Sequence, residues 1–269
     1  MLSYRHAYHV GNHADVLKHL VLCEVLAHFN AKDSPYWYID THAGAGRYRL
    51  GSAKGNAVEE YREGIARLWG RGQLPAALEH YLTQVRRLNP GEALHAYPGS
   101  PLLAESLMRA DDKLRLFELH PADFAALNSR FGRSGRRVQV RGEDGFAALP
   151  GLLPPPTRRA VVLIDPPYEV KGDYRRVEQV LLEALRHFAT GTYLVWYPRL
   201  ARPAAQTLRE RLPRLPVRSW LQVELTVRKP PASGAGMFGS GVFVINPPWT
   251  LPARLAPVLP LLRDLLAQD

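Results

Sequence analysis

The sequence predicts an α/β domain whose mostly parallel sheet carries helices on both faces. Three observations lead there. Short, wholly apolar runs such as Ala160–Ile164 and Tyr193–Tyr197 have the length of a strand and no polar alternation, as strands buried on both sides do. These runs alternate with stretches whose apolar residues recur at helical spacing. Several runs stop at a carboxylate or a glycine, the pattern expected where the strands of a doubly wound sheet end at one crevice.

In chain order, Val16 to Phe29 reads as a helix with Asp15 as its N-cap. Tyr36-Trp37-Tyr38-Ile39 is the first strand, running into Asp40 and a glycine-rich turn. Leu114 to Glu118 is the second, followed by a helix opening at Pro121. Arg137 to Val140 is the third and Ala160 to Ile164 the fourth; a helix from about Tyr174 to Phe188 follows. Thr192 to Tyr197 is the fifth, then a helix from Ala204 to Arg211, and Val217–Val227 with Gly241–Ile245 close the sheet as a pair. The separation between Gly46 and Glu118 far exceeds the ~30 residues of a plain β-α-β step. The surplus reads as helices over Ala57–Trp69, Ala76–Leu88 and Pro101–Met108. A helical insertion over residues 52–96 is therefore expected within one domain spanning 1–269. Its Arg62, Arg67, Arg71, Arg86 and Arg87 are expected to solvate exposed helix faces.

Of 269 residues, 46% are apolar and 22% charged, which excludes a disordered chain. The lone Cys23 excludes a disulfide scaffold and any multi-cysteine zinc site. No run approaches the ~20 apolar residues of a membrane helix. The N-terminus holds histidines where a secretion signal would hold an apolar core, so a cytoplasmic protein is expected. Those histidines are irregularly spaced and lack a thiol partner, which argues against a metal. A net charge of +10 points to a polyanionic partner, most simply nucleic acid.

Asp40-Thr41-His42-Ala43-Gly44-Ala45-Gly46 lets a ligand approach the backbone closely. A dinucleotide fingerprint wants a third glycine where Tyr48 and Arg49 stand, so the spacing fits S-adenosylmethionine better. A plain strand-to-helix turn would look the same. Glu118 can accept both ribose hydroxyls, and Asp144 the exocyclic amine of an adenine. Asp165-Pro166-Pro167-Tyr168 is the strongest signal. The lone pair of an adenine N6 is delocalised into the ring. A carboxylate and a proline-fixed carbonyl, each accepting one N–H, would draw that nitrogen toward tetrahedral geometry, while Tyr168 stacks on the base. Asn246-Pro247-Pro248-Trp249 has the same shape, but Asn cannot accept two amino protons as a carboxylate can; it reads as structural, or as an aromatic wall beside the site. Near the N-terminus, Lys18 and His19 are placed to reach a cofactor carboxylate, and Tyr4 with Arg5 to touch the substrate base or phosphate.

Met1-Leu-Ser-Tyr4-Arg5-His6, Gly11-Asn12-His13-Ala14-Asp15-Val16-Leu17-Lys18-His19, Asp40 to Tyr48, Tyr97-Pro98-Gly99-Ser100-Pro101, Glu118-Leu119-His120-Pro121 and Asp165 to Tyr168 together resemble the bacterial large-subunit ribosomal RNA adenine-N6 methyltransferase J family. The resemblance runs over nearly the whole chain. It implies a Rossmann-like class I methyltransferase core with a helical insertion, S-adenosylmethionine as cofactor, and one adenine N6 of 23S rRNA as target. His19, His42, Gly44, Ser100, Glu118 and Asp144, with Glu143 beside it, would then meet the cofactor. Asp165 and Pro166 would carry catalysis, and Tyr4 would meet the adenine. A monomer with no obligate protein partner and no membrane association is expected.

The residues alone leave RNA and DNA unseparated, because a 2′-hydroxyl contact is not legible in sequence. A DNA adenine methyltransferase stays open as an alternative, although the roughly hundred residues after Tyr168 argue against a sizeable recognition domain there. A glutamine methyltransferase working through Asn246, and a non-catalytic basic RNA-binding assembly factor, stay open.

Overall fold

A computed structural model describes residues 9–51, 59–169, 171–231 and 236–269. In chain order it contains α1 (His13–Asn30), β1 (Trp37–Asp40), β2 (Arg47–Arg49), α2 (Ala76–Arg87), β3 (Ala96–Pro98), α3 (Ser100–Leu107), β4 (Lys113–Phe117), α4 (Pro121–Phe131), β5 (Val138–Arg141) and α5 (Gly145–Ala148). Then come β6 (Ala160–Ile164), α6 (Lys171–His187), β7 (Thr192–Arg199), α7 (Pro203–Arg211), β8 (Trp220–Thr226), β9 (Gly239–Ile245), α8 (Leu251–Leu255) and α9 (Val258–Leu266). The seven-stranded sheet has the order β5-β4-β1-β6-β7-β9-β8. Strands β5 through β7 run parallel, and β9 lies antiparallel to both β7 and β8. The chain winds outward from β1 through β4 to β5, then returns to β6 on the other side. That reversal opens a crevice beyond the carboxyl ends of β1, β4 and β6.

Alternation along the strands makes two cores. Tyr38, Val161 and Leu163 pack with α1 and α3, whereas Ile39, Val162 and Ile164 pack with α6 and α7. Apolar side chains are needed at successive positions, which is why these strands read as unbroken apolar runs.

Several expectations are revised. Asn12, not Asp15, caps α1: its Oδ1 accepts from Ala14 N and Asp15 N at 2.9 and 3.0 Å. Asp15 sits one turn in, and its Oδ2 accepts from Gly11 N at 2.9 Å. The helix expected over Ala57–Trp69 is replaced, among the described residues, by two 3₁₀ turns, Glu60–Glu63 and Ile65–Arg67. They break at Gly64, whose backbone lies against Gly11; a Cβ there would fall 2.0 Å from the Gly11 carbonyl. Strands β2 and β3 form an antiparallel ribbon that sequence reading missed, because three-residue strands carry no periodicity. The third core strand begins one residue later than expected. The fifth extends through Pro198, on a stretch of β7 beyond its pairing with β6.

The insertion's arginines bind within the chain. Arg62 pairs with Glu59 and Arg86 with Glu79, Arg67 donates to the carbonyls of Leu265 and Ala267, Arg71 to that of Arg67, and Arg87 to Gln84 and the Ser106 carbonyl. Among the described residues no helix is long and apolar enough to cross a membrane.

Candidate active site

Two adjoining cavities open at the carboxyl edge of the sheet. The first, about 310 Å³, is walled by the loop after β1 (Thr41 to Gly44), by Glu118 after β4, Asp144 after β5 and Asp165 after β6, with Lys18 and His19 from α1 and Ser100 from α3. The second, about 250 Å³, is lined by Tyr168, Trp196, Pro198, Leu200 and Met237 among others. Lys18, Asp165 and Pro167 belong to both walls. The carboxylates are thus brought together by the topology, since Glu118, Asp144 and Asp165 each follow a parallel strand whose carboxyl end faces the crevice, and α1 and α3 add Lys18, His19 and Ser100.

Glu118 is held from behind. One carboxylate oxygen accepts from Gly44 N at 2.8 Å and the other from His120 N at 2.7 Å, while burial raises its pKa. The approach of Gly44 needs the left-handed backbone that glycine adopts freely (φ 61°). Below that loop, Asp40 is fully buried; it accepts from Tyr38 and Ser100 hydroxyls, both at 2.7 Å, and from His42 N. Burial pushes Asp40 up to about 6. It braces the loop and does not line either cavity. The His42 ring bonds Thr41 Oγ1 and meets Phe146 edge-on, and burial brings its pKa down to about 4, so it is neutral at pH 7. His19 is buried with Nδ1 on the Tyr97 hydroxyl at 2.8 Å. Ser100 lines the cavity while donating to Asp40.

Lys18 lines the first cavity, and its ammonium lies 2.8 Å from Asp15 and 2.5 Å from Asp165. Burial alone would lower its pKa, but the two carboxylates outweigh burial and raise it above the ordinary lysine range. Asp144 lines the first cavity; Oδ1 accepts from Phe146 N at 2.9 Å and Oδ2 from Arg176 at 2.5 Å. Glu143 stands apart, exposed and paired with Arg141 at 3.2 Å, off the cavity wall. Pro166 is buried beneath the loop, and Pro167 forms the shared rim.

Tyr168 is nearly buried and takes a left-handed backbone (φ 53°), a strained state for a bulky residue. Its hydroxyl donates to the Trp196 carbonyl at 2.7 Å, and its ring leans on Tyr174 and Trp196. Tyr4 and Arg5 lie outside the described residues.

Asn246 lies at the opposite edge of the sheet. Because β9 runs antiparallel, its last residue Ile245 pairs with Tyr193 near the start of β7. The Asn246 amide donates to the carbonyls of Ala189 and Gly191, both at 2.8 Å, and Trp249 faces solvent. The motif is a turn brace. It is no wall of the site, and this removes the glutamine reading built on it.

Sequence reading missed Trp196, Asp173 and Arg176 on these walls, and it missed the partners of Lys18. The i,i+3 spacing of Asp15 and Lys18 on a helix was the available signal for one of those partners.

A family model described as Ribosomal RNA large subunit methyltransferase D, RlmJ, matches residues 33–269. An Escherichia coli (strain K12) protein named Ribosomal RNA large subunit methyltransferase J is 47% identical over 266 residues, covering 99% of this chain and 94% of its own length. A Haemophilus influenzae protein of the same name is 44% identical over 270 residues, covering 100% and 95%. A crystal structure of a Legionella pneumophila protein aligns with a TM-score of 0.86 at 37% identity, over 96% of this chain and 94% of that one.

Proposed function

The chain belongs to the RlmJ family of large-subunit ribosomal RNA methyltransferases, and from that premise we propose that it transfers a methyl group from S-adenosylmethionine to the N6 of one adenine in 23S rRNA. The observation that carries this reading is the common wall: Asp165 and Pro167 lie between a carboxylate-rimmed chamber suited to a nucleoside and a chamber lined by Tyr168 and Trp196 suited to a second base.

The donor set of the first chamber fits the cofactor. Glu118 would take the ribose hydroxyls, Asp144 the adenine amine, and the loop from His42 to Gly44, with His19 and Ser100, the amino-acid end. When bound, S-adenosylmethionine supplies a methyl group on a sulfonium. In the second chamber, Tyr168 and Trp196 would flank the extruded base. Asp165 and the carbonyl of Pro166 would each accept one N6 proton, drawing the lone pair out of conjugation, and Asp165 would hold the proton that N6 loses. Lys18 would keep Asp165 oriented by engaging Oδ2. Tyr4 and Arg5, outside the described residues, are read as touching the substrate base or phosphate.

A ribosomal RNA substrate supports a cytoplasmic location. Residues 52–96 are read as a helical subdomain that contains α2; Arg49, which precedes the span, pairs with Ala96 at its end.

The test is methyl transfer from labelled S-adenosylmethionine to a 23S rRNA transcript, to duplex DNA of the same sequence and to ribosomal protein, followed by nucleoside mass analysis. N6-methyladenosine in the rRNA arm alone is expected. Label in DNA or protein, or in none of the three, would overturn the reading.

A further inference from the structure

Arg176 was not singled out by any sequence motif, yet it reaches the cofactor chamber from α6, the helix that follows Asp165-Pro166-Pro167-Tyr168. Its guanidinium donates to Asp144 Oδ2 at 2.5 Å and lies 4.8 Å from the centroid of the Phe146 ring. Phe146 in turn meets His42 edge-on at 4.7 Å. Asp144 is therefore fixed twice: Oδ1 by the Phe146 amide at the start of α5, and Oδ2 by a side chain from a different helix.

We infer that Arg176 is a positioning residue for the adenine of the cofactor: by holding Oδ2 of Asp144 from across the chamber, it aims the remaining lone pairs of that carboxylate at the 6-amino group. The inference rests on the adenine-end role given to Asp144 above. A half-exposed ion pair ordinarily contributes little, because two long side chains must be ordered in water. Here one partner is already anchored to a backbone amide and the other lies over an aromatic face, so less freedom remains to be lost. Negative charge is in excess along the chamber. Glu118, Asp123, Asp144, Asp165 and Asp173 line the chamber against Lys18 and Arg176, and Lys18 is committed to Asp165. Arg176 thus offsets negative charge at the adenine end, and it ties that end to the helix continuing the base-side loop.

The experiment measures affinity of the full-length protein for S-adenosylhomocysteine and for its purine-riboside analogue, which lacks only the 6-amino group, in the native protein, Arg176→Met and Arg176→Lys. Arg176→Met is expected to weaken S-adenosylhomocysteine about tenfold and the purine analogue less than about twofold. Arg176→Lys, which keeps a cation near Asp144, should restore most of the loss. Equal weakening of both ligands, or unchanged affinity for both, would show that Arg176 does not act through the amino group, and would overturn the inference. If the native protein binds neither ligand, the cofactor reading falls and the inference falls with it. Native binding of S-adenosylhomocysteine without preference over the analogue sinks the inference alone.

Discussion

The ammonium of Lys18 lies 2.5 Å from Oδ2 of Asp165, a residue 147 positions away, and 2.8 Å from Asp15 on its own helix. One buried cation thus joins the first turns of α1 to the loop after β6, at the wall shared by both chambers. Removing it leaves two carboxylates facing one site without compensation, which typically costs 3–5 kcal/mol. Lys18→Met is expected to lower stability by about 3 kcal/mol and methyl transfer by about a hundredfold or more. The check is a denaturant titration beside single-turnover transfer. Near-native stability together with near-native rate would show that Asp165 is oriented by something else.

Binding and chemistry should separate between Glu118 and Asp165. Glu118 presents a carboxylate to the first chamber with both oxygens already braced by Gly44 and His120 amides. Glu118→Ala should weaken cofactor binding by ~1–3 kcal/mol, the usual loss of a charged hydrogen-bonding partner. Asp165→Ala should abolish methyl transfer while cofactor affinity changes by roughly threefold at most, since its part lies with the substrate nitrogen. Calorimetry and a transfer assay on each variant decide this; the reverse assignment of losses would exchange their roles.

The fold was legible wherever burial on both faces forced unbroken apolar runs, as in Ala160–Ile164. The carboxylates were legible because they follow such runs. What sequence could not convey was direction in space. Asp165-Pro-Pro-Tyr168 and Asn246-Pro-Pro-Trp249 both follow apolar strands, and only the antiparallel course of β9 sends the second to the far edge. Pairing across the chain was equally hidden. Lys18 looked like a free cation because Asp165 is distant in sequence, and Asp144 gave no sign of Arg176. The Asp15 cap was misassigned because Asn12 and Asp15 are both good capping residues, and only geometry shows which carbonyl oxygen faces the first amides.

The position of the second proline motif carries its own prediction. Trp249 is 84% exposed at the edge away from both chambers, and Asn246 braces a turn through Ala189 and Gly191. Trp249→Ala should therefore leave cofactor affinity and single-turnover transfer within about twofold, and shift stability by less than about 0.5 kcal/mol, as for an isolated surface site. A large fall in transfer at unchanged stability would bring that edge back into the site.

Acid should destabilise the protein through His13. This first residue of α1 is 4% exposed, its Nδ1 has no hydrogen-bond partner among the described residues, and burial, aided by Arg228, brings its pKa down to about 4. An unfolded histidine titrates near 6.5. Between those values the unfolded chain binds more protons than the folded one, so stability rises with pH; the contribution is complete above about 6.5 and is lost as pH falls toward 4. Its full size is roughly 3 kcal/mol. His42 shifts in the same direction, whereas buried Asp40, pushed up to about 6, works oppositely: its folded form holds the proton more tightly, so stability falls as pH rises through about 4 to 6. A single variant isolates the first of these. In urea titrations at pH 7 and pH 4.5, the stability difference between the native protein and His13→Gln should shift by about 2–3 kcal/mol in favour of the variant at the lower pH. A difference that stays constant across that interval would mean that His13 takes up its proton in the folded state without penalty.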